Sequence, residues 1–110
     1  MSDEEEIKVP EISASQLNEM LAGENPPYLL DVRENWEVAR GKIPGATHIV
    51  MNTIPDRLAD IPTDKTVVVY CAAGARSDAV TAFLLHNGFT DVKNLTDGIG
   101  AWALTQVKRG

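Results

Sequence analysis

The sequence predicts an α/β fold in which a mostly parallel sheet is covered by helices on both faces. Short apolar stretches typical of buried strands alternate with stretches whose apolar residues recur at helical spacing. Glycine, proline and asparagine separate these stretches. With 110 residues, of which 44% are hydrophobic and 24% charged, the chain has the composition of one ordinary globular domain.

The first half of the chain predicts one long helix, two strands and several short turns. Ser13 is suited to cap a helix ending at Gly23, because Leu17, Met20 and Leu21 recur at helical spacing. Residues 28–32 form a continuous apolar run, as expected for a strand buried on both faces. The remaining predictions are a short helix over 34–39, a turn over 42–46, a strand over 47–50 and a helical turn over 55–59.

The second half predicts two strands and two helices in alternation. Residues 66–70, with three valines and a tyrosine, carry the strongest strand pattern in the chain. Ser77 and Asp78 predict the start of a helix that stops at Asn87 and Gly88. A strand over 91–95 and a helix over 98–107, with Trp102 directed inward, complete the chain.

Cys71, the chain's one cysteine, directly follows the strongest strand. In open parallel sheets ligands lie beyond the carboxyl ends of the strands, so this thiol stands at a favoured position. Small residues after it allow backbone amides to surround one centre, and the following helix adds positive charge at its N-terminus. We therefore predict Cys71 as an exposed, catalytic thiolate. The predicted substrate-binding residues are Ala72, Ala73, Gly74, Ala75 and Arg76.

Charge and residue usage argue against several classes of partner. A net charge of −6 disfavours nucleic acid, and no apolar run reaches the roughly 20 residues that a membrane helix needs. His48 and His86 are far apart and form no zinc spacing with the lone cysteine, so no metal or cofactor is predicted. A single cysteine fits a reducing, cytoplasmic setting. We expect a monomer in which residues 1–6 form a disordered acidic tail and residues 7–110 one domain.

Several segments, in order, resemble the single-domain rhodaneses, which are sulfurtransferases. Residues 71–77 resemble the family's C-x-x-G-x-R-S active-site loop, and residues 31–37 its D-V-R-x-x-x-E segment. Residues 41–46 are similar to its G-H-I-P-G-A turn, with Lys42 in place of the histidine. Residues 87–89 and 98–102 resemble its N-G-F and G-G-I-x-A-W elements, with Asp97 in place of the first glycine.

The resemblance implies a five-stranded, mostly parallel sheet and a two-step sulfur transfer. In that cycle Cys71 would take a sulfane sulfur from a donor such as thiosulfate and become a persulfide. It would then pass the sulfur to cyanide, a thiol or a protein. Asp31 and Arg33 are expected to support the site more by structural hydrogen bonds, with Glu37 as a candidate partner, than by contact with substrate.

Three other functions remain open from the sequence. An isolated cysteine beside valines is often an inert core residue, although the loop favours a reactive thiol. Cysteine phosphatases and arsenate reductases also hold a thiolate in an amide-lined loop, but five residues separate their cysteine from arginine and four do here. A sulfur carrier or regulatory module acting through a protein partner is the third alternative.

Overall fold

One parallel five-stranded sheet organises the chain in the computed structural model, which describes residues 8–107. The strand order is β1-β5-β4-β2-β3, and every recorded strand pair is parallel. The acidic tail predicted over residues 1–6 lies outside the described residues. The strands are β1 (Glu11–Ile12), β2 (Tyr28–Asp31), β3 (Thr47–His48), β4 (Val67–Tyr70) and β5 (Val92–Leu95).

Four α-helices and two 3-10 segments connect these strands. Helix α1 begins with the predicted cap: the Ser13 side chain accepts from the amide of Gln16, and the Gln16 side chain accepts in return from the Ser13 amide. The helices are α1 (Ala14–Leu21), α2 (Asn35–Val38), α3 (Ala75–His86) and α4 (Gly98–Val107), and the 3-10 segments are Met51–Asp56 and Leu58–Asp60.

The central strand β4 contributes to both faces of the sheet. Val67 and Val69 pack in one apolar cluster with Val80 and Leu84 of α3. Val68 and Tyr70 pack in a second cluster, against which partly buried residues of α4 such as Ile99 and Trp102 rest. Because successive side chains of a strand point to opposite faces, a run buried at every position places the strand between two helical layers. This confirms the predicted α/β class.

The structure adds one strand to the predicted elements and changes two of them. β1 was not predicted, because two residues carry no periodic pattern. The third strand stops at His48, and the turn predicted over 55–59 is two 3-10 segments instead. Trp102 is directed inward as predicted: it is half-buried against the second apolar cluster, and its indole N–H donates to Asn18 Oδ1 at 3.1 Å. Within residues 8–107, no helix has the length and apolar character to cross a membrane.

The predicted start of α3 was wrong by two residues. The helix begins at Ala75, and Gly74 precedes it with a φ of 109°. Glycine reaches this left-handed region at no steric cost, so the chain reverses earlier than the Ser77–Asp78 pattern indicates. As a result Ala75, Arg76 and Ser77 belong to the first turn of the helix, with Ser77 fully buried. This early turn directs Ser77 toward the end of β4.

Candidate active site

The Cys71 sulfur lies at the carboxyl end of β4, within a tight turn that leads into α3. The backbone amides of Gly74 and Ser77 donate to Sγ at 3.1 and 3.3 Å. The Ser77 hydroxyl lies 3.3 Å from the same sulfur. Three polar groups from one turn therefore converge on one sulfur atom, and the N-terminus of a 12-residue helix adds its partial positive charge on that side.

Helix α4 holds this turn from the opposite side. The amide of Ile99 donates to the Cys71 carbonyl at 3.0 Å, and that of Gly100 reaches the Ala72 carbonyl at 3.5 Å. A side chain on Gly98 would overlap the carbonyl oxygens of both Cys71 and Ala72. The close approach of two backbones therefore requires a glycine at this point. The loop amides remain directed inward because the loop carbonyls are bound outside.

The environment of Cys71 favours the thiolate. Burial raises the pKa of the thiol, since charge is costly away from water. Hydrogen bonds from the Ser77 side chain and from the amides of Ser77, Gly74 and Ala73 act in the opposite direction and lower it. Together the hydrogen bonds outweigh burial, and the pKa lies below that of an ordinary cysteine. The amide-lined loop thus lowers the pKa of the Cys71 thiol, as the sequence predicted.

The predicted exposure of the sulfur was wrong. Cys71 is 1% exposed, because the turn closes over it and the sulfur points into the fold. The residues predicted to bind substrate lie on the outer side of this turn, where an opening to the sulfur would have to form: Ala72, Ala73 and Ala75 are exposed, and Gly74 and Arg76 are partly exposed. A reacting molecule would therefore meet small, uncharged alanine side chains before the sulfur.

Arg76 is joined to Glu37 of α2 by two hydrogen bonds. Its Nη1 and Nη2 donate to the two carboxylate oxygens at 2.8 and 2.9 Å. The hydrogen bonds from Arg76 hold the pKa of Glu37 at about 2, and Glu37 in turn raises the pKa of Arg76. The sequence suggested Asp31 and Arg33 as partners for Glu37, and the structure instead assigns Glu37 to Arg76.

Asp31 and Arg33 form a second, more deeply buried pair at the end of β2. Arg33 Nη2 lies 2.7 Å from the Asp31 carboxylate and also donates to the Gly41 carbonyl at 2.8 Å. Burial opposes the ionisation of Asp31, but the bonds from Arg33 prevail and its pKa is lowered. The guanidinium carbon also lies 5.6 Å from the centre of the Tyr70 ring. These contacts tie β2 to the residue that precedes Cys71.

Two residues at the sulfur were missed by the sequence reasoning. Ser77 was assigned to helix capping, whereas its hydroxyl lies between the sulfur and Asn94 of β5. Asn94 was not singled out, although it is 3% exposed and its side chain donates to the Gly74 carbonyl at 3.3 Å. The available signal was an uncharged polar residue within the apolar stretch of a predicted buried strand.

The two histidines and Lys42 take no part in this cluster. His48 lies on the edge strand β3, and its Nε2 is 2.6 Å from the Arg33 carbonyl, so that ring nitrogen has a hydrogen-bond partner. Lys42 donates to the Ala46 carbonyl at 3.0 Å, so the lysine that replaces the family's histidine stabilises the turn. His86 is exposed at the C-terminus of α3.

Comparison with known proteins identifies the family. A sulfurtransferase of Allochromatium vinosum is 43% identical over 86% of this chain and 89% of its own length. A thiosulfate sulfurtransferase, GlpE, of Pseudomonas aeruginosa is 33% identical over 93% and 87%. A rhodanese-like domain protein from Staphylococcus aureus superposes with a TM-score of 0.81 at 36% identity, covering 86% and 91%. The family model of the rhodanese-like domain matches residues 13–105, and the chain belongs to that family.

Proposed function

We propose that this domain transfers a sulfane sulfur through a persulfide on Cys71. The observation that carries the proposal is the set of donors around the sulfur, namely the amides of Gly74 and Ser77 and the Ser77 hydroxyl. These donors stabilise a sulfur anion without a neighbouring general base. The family's sulfurtransferases supply the reaction class, and thiosulfate is the proposed donor because it appears in the name of the related GlpE protein.

The proposed cycle has two steps, each of which conserves charge. In the first, the Cys71 thiolate attacks the outer sulfur of thiosulfate, the S–S bond breaks, and sulfite leaves with the bonding electrons. The enzyme then carries the sulfur as Cys71–S–S⁻. In the second, an acceptor thiolate or cyanide attacks the outer sulfur, and Cys71 leaves as the thiolate again. No cofactor or external oxidant is needed.

The loop is the proposed binding site for the transferred sulfur. Inward-directed amides can receive the outer sulfur of the persulfide, which also carries negative charge. Arg76 adds a cation whose charge is largely balanced by Glu37. The proposed substrate-binding residues are therefore Ala72, Ala73, Gly74, Ala75 and Arg76, while Asp31 and Arg33 support the loop through the end of β2.

A sulfur carrier that delivers to a protein is the second candidate. Exposed Ala72, Ala73 and Ala75 give the opening little charge or bulk, which suits a large acceptor. The carrier and the enzyme share the same Cys71 persulfide and differ in how fast small acceptors remove the sulfur. A phosphatase is less well supported, since four residues between Cys71 and Arg76 leave a smaller loop and Glu37 already occupies the guanidinium fork. We place the activity in the cytoplasm and expect a monomer.

The decisive experiment is intact mass spectrometry of the reduced protein after incubation with thiosulfate. The wild type should gain one sulfur atom, dithiothreitol should remove it, and Cys71→Ala should gain none. Absence of the added sulfur from a folded, reduced wild type, with glutathione persulfide as well as thiosulfate, would overturn the proposal. Where the wild type does gain the sulfur, rapid thiocyanate production on addition of cyanide favours an enzyme of broad acceptor use over a dedicated carrier.

A further inference from the structure

The Ser77 hydroxyl has more hydrogen-bond partners than it has protons. Its Oγ lies 2.5 Å from Asn94 Oδ1, 3.2 Å from the Gly74 carbonyl and 3.3 Å from Cys71 Sγ. A serine hydroxyl donates a single proton, so it can serve one of these acceptors at a time. Asn94 offers the shortest contact. The sulfur therefore competes with an amide oxygen for this donor.

Asn94 is held firmly beside this hydroxyl. It lies on β5 with its backbone amide bound to the Pro10 carbonyl at 2.8 Å, and its side chain is almost fully buried. Its Nδ2 reaches the Gly74 carbonyl at 3.3 Å, but that carbonyl already accepts the Asp78 amide at 3.0 Å. Satisfying the Gly74 carbonyl therefore does not require a buried amide here. The contact that needs an amide side chain at position 94 is therefore the one with the Ser77 hydroxyl.

We propose that Asn94 is a positioning residue that withholds the Ser77 proton from the Cys71 sulfur and releases it when that sulfur becomes an anion. The proposal rests on the persulfide cycle above. When Sγ is uncharged, in the thiol or in the middle of the persulfide, the hydroxyl donates to Asn94 Oδ1. When Sγ is the thiolate, the hydroxyl can turn to it, and the sulfur then has three donors instead of two. The hydroxyl rotates, and no proton leaves Ser77.

This arrangement would affect the second half of the cycle most. As the acceptor removes the outer sulfur, negative charge returns to Sγ, which is the leaving atom. A third donor reaching Sγ at that moment stabilises the departing thiolate. Throughout the persulfide stage Sγ carries no charge, and the same donor stays on Asn94 Oδ1.

Other ionisable groups near the loop do not hold the hydroxyl. None of them hydrogen-bonds Ser77 or Asn94 through its side chain in the described part of the chain. The groups on the elements packed around Cys71 include Arg76 and Asp78 of α3, Glu37 of α2, the Asp31–Arg33 pair at the end of β2, Tyr70 of β4, Lys93 of β5 and Asp97 after β5. Substitution of Asn94 leaves their charges in place, so its effect on the sulfur can be read separately.

The test is the pH dependence of Cys71 alkylation by iodoacetamide in Asn94→Leu, which removes the competing acceptor at similar size. Release of the hydroxyl should lower the thiol pKa by about one unit, the order expected for one hydrogen bond to a charged group. A residue that merely supports the loop would give the opposite sign, because loosened amides let the pKa rise toward that of free cysteine. An unchanged or raised pKa in folded protein overturns the proposal.

The matched control removes the hydroxyl. Ser77→Ala should raise the thiol pKa. Adding Asn94→Leu to Ser77→Ala should then leave the thiol pKa at the value of the Ser77→Ala variant. An equal downward shift in both backgrounds would mean that Asn94 acts on the sulfur without Ser77, which also overturns the proposal. Asn94→Ala provides the same comparison if the leucine variant does not fold. Because the readout is the thiol pKa, it is independent of the mass-spectrometric test of sulfur transfer.

Discussion

Glu37 accepts hydrogen bonds from Arg76 on both carboxylate oxygens, at 2.8 and 2.9 Å, beside the loop that holds Cys71. The arginine follows Cys71 by five residues, whereas the glutamate comes from α2 on another part of the chain. The pair places two opposite charges next to the opening. On the proposed cycle, an anionic sulfur donor would meet an arginine whose charge is already balanced, and would compete with Glu37 for its guanidinium group.

The first prediction concerns the charge of the donor. Glu37→Gln keeps a side-chain acceptor for the Glu34 amide, to which Glu37 Oε1 binds at 2.9 Å, but removes the negative charge. Thiosulfate carries two negative charges, so we expect its kcat/KM to rise about fivefold, the effect of roughly 1 kcal/mol of relieved repulsion. Arg76→Ala should lower it by a similar factor. Steady-state sulfite release measures both.

The control for this prediction is a reagent without charge. Iodoacetamide alkylation of Cys71 should change less than thiosulfate turnover in both variants, because the neutral reagent has no electrostatic interaction with Arg76. Added salt should shrink the difference between Glu37→Gln and wild type. Equal changes for the neutral reagent and for thiosulfate would remove Arg76 from donor binding.

The second prediction is the titration of the thiol itself. The donors from Gly74 and Ser77 lower the pKa of Cys71, so the thiolate fraction at neutral pH should exceed that of free cysteine. Lowering the pH through the shifted pKa protonates the sulfur, and the alkylation rate should fall there rather than near the usual value of about 8.5. A rate profile with the pKa of free cysteine, or a higher one, would show that the hydrogen bonds do not outweigh burial.

The elements of this fold could be predicted because their determinants are local. Residues 67–70 are buried on both faces of the sheet, and a continuous apolar run is the direct consequence. Cys71 could be located for the same reason, since the end of a central parallel strand faces the ligand side. The Ser13 cap likewise depends on Gln16, three residues away. Short-range patterns carried these predictions.

The contacts within the site depend on residues distant in sequence, and local patterns did not identify them. Ser77 and Asn94 are 17 residues apart and meet through the parallel pairing of β4 and β5. Glu37 and Arg76 are 39 apart. The start of α3 was misassigned because serine is a favoured residue at the N-terminal cap of a helix. In the structure the Ser77 hydroxyl contacts the Cys71 sulfur and Asn94 instead of capping the helix.

The third prediction separates support of the fold from participation in the reaction. Arg33→Met keeps an unbranched side chain but leaves the fully buried Asp31 without its partner. We expect a loss of about 3 kcal/mol in the free energy of unfolding, as for other broken buried ion pairs. Urea denaturation measures it. Arg57→Met, which breaks an exposed pair with Asp60, should cost less than about 0.5 kcal/mol.

The role of Arg33 in the reaction is tested on the same variant. If Arg33 supports the strand end without contacting the donor, folded Arg33→Met should form the Cys71 persulfide to the same extent as wild type. A variant that keeps its stability but loses the persulfide would instead give Arg33 a direct role in the site.

The fourth prediction concerns the contact between α4 and the loop. Gly88 and Gly98 both have positive φ, at 93° and 64°, so alanine at either position costs about 1 kcal/mol in backbone strain. At Gly88 the new methyl group meets open space, whereas at Gly98 it overlaps the carbonyl oxygens of Cys71 and Ala72. Gly98→Ala must therefore displace the loop, and the amides lose their alignment on the sulfur.

We expect Gly98→Ala to be the less stable variant in urea, with a raised thiol pKa and a reduced persulfide yield. Gly88→Ala should keep the wild-type thiol pKa and the wild-type persulfide yield. If the two variants form persulfide equally well, the position of α4 against the loop carbonyls is unimportant for the reactivity of Cys71.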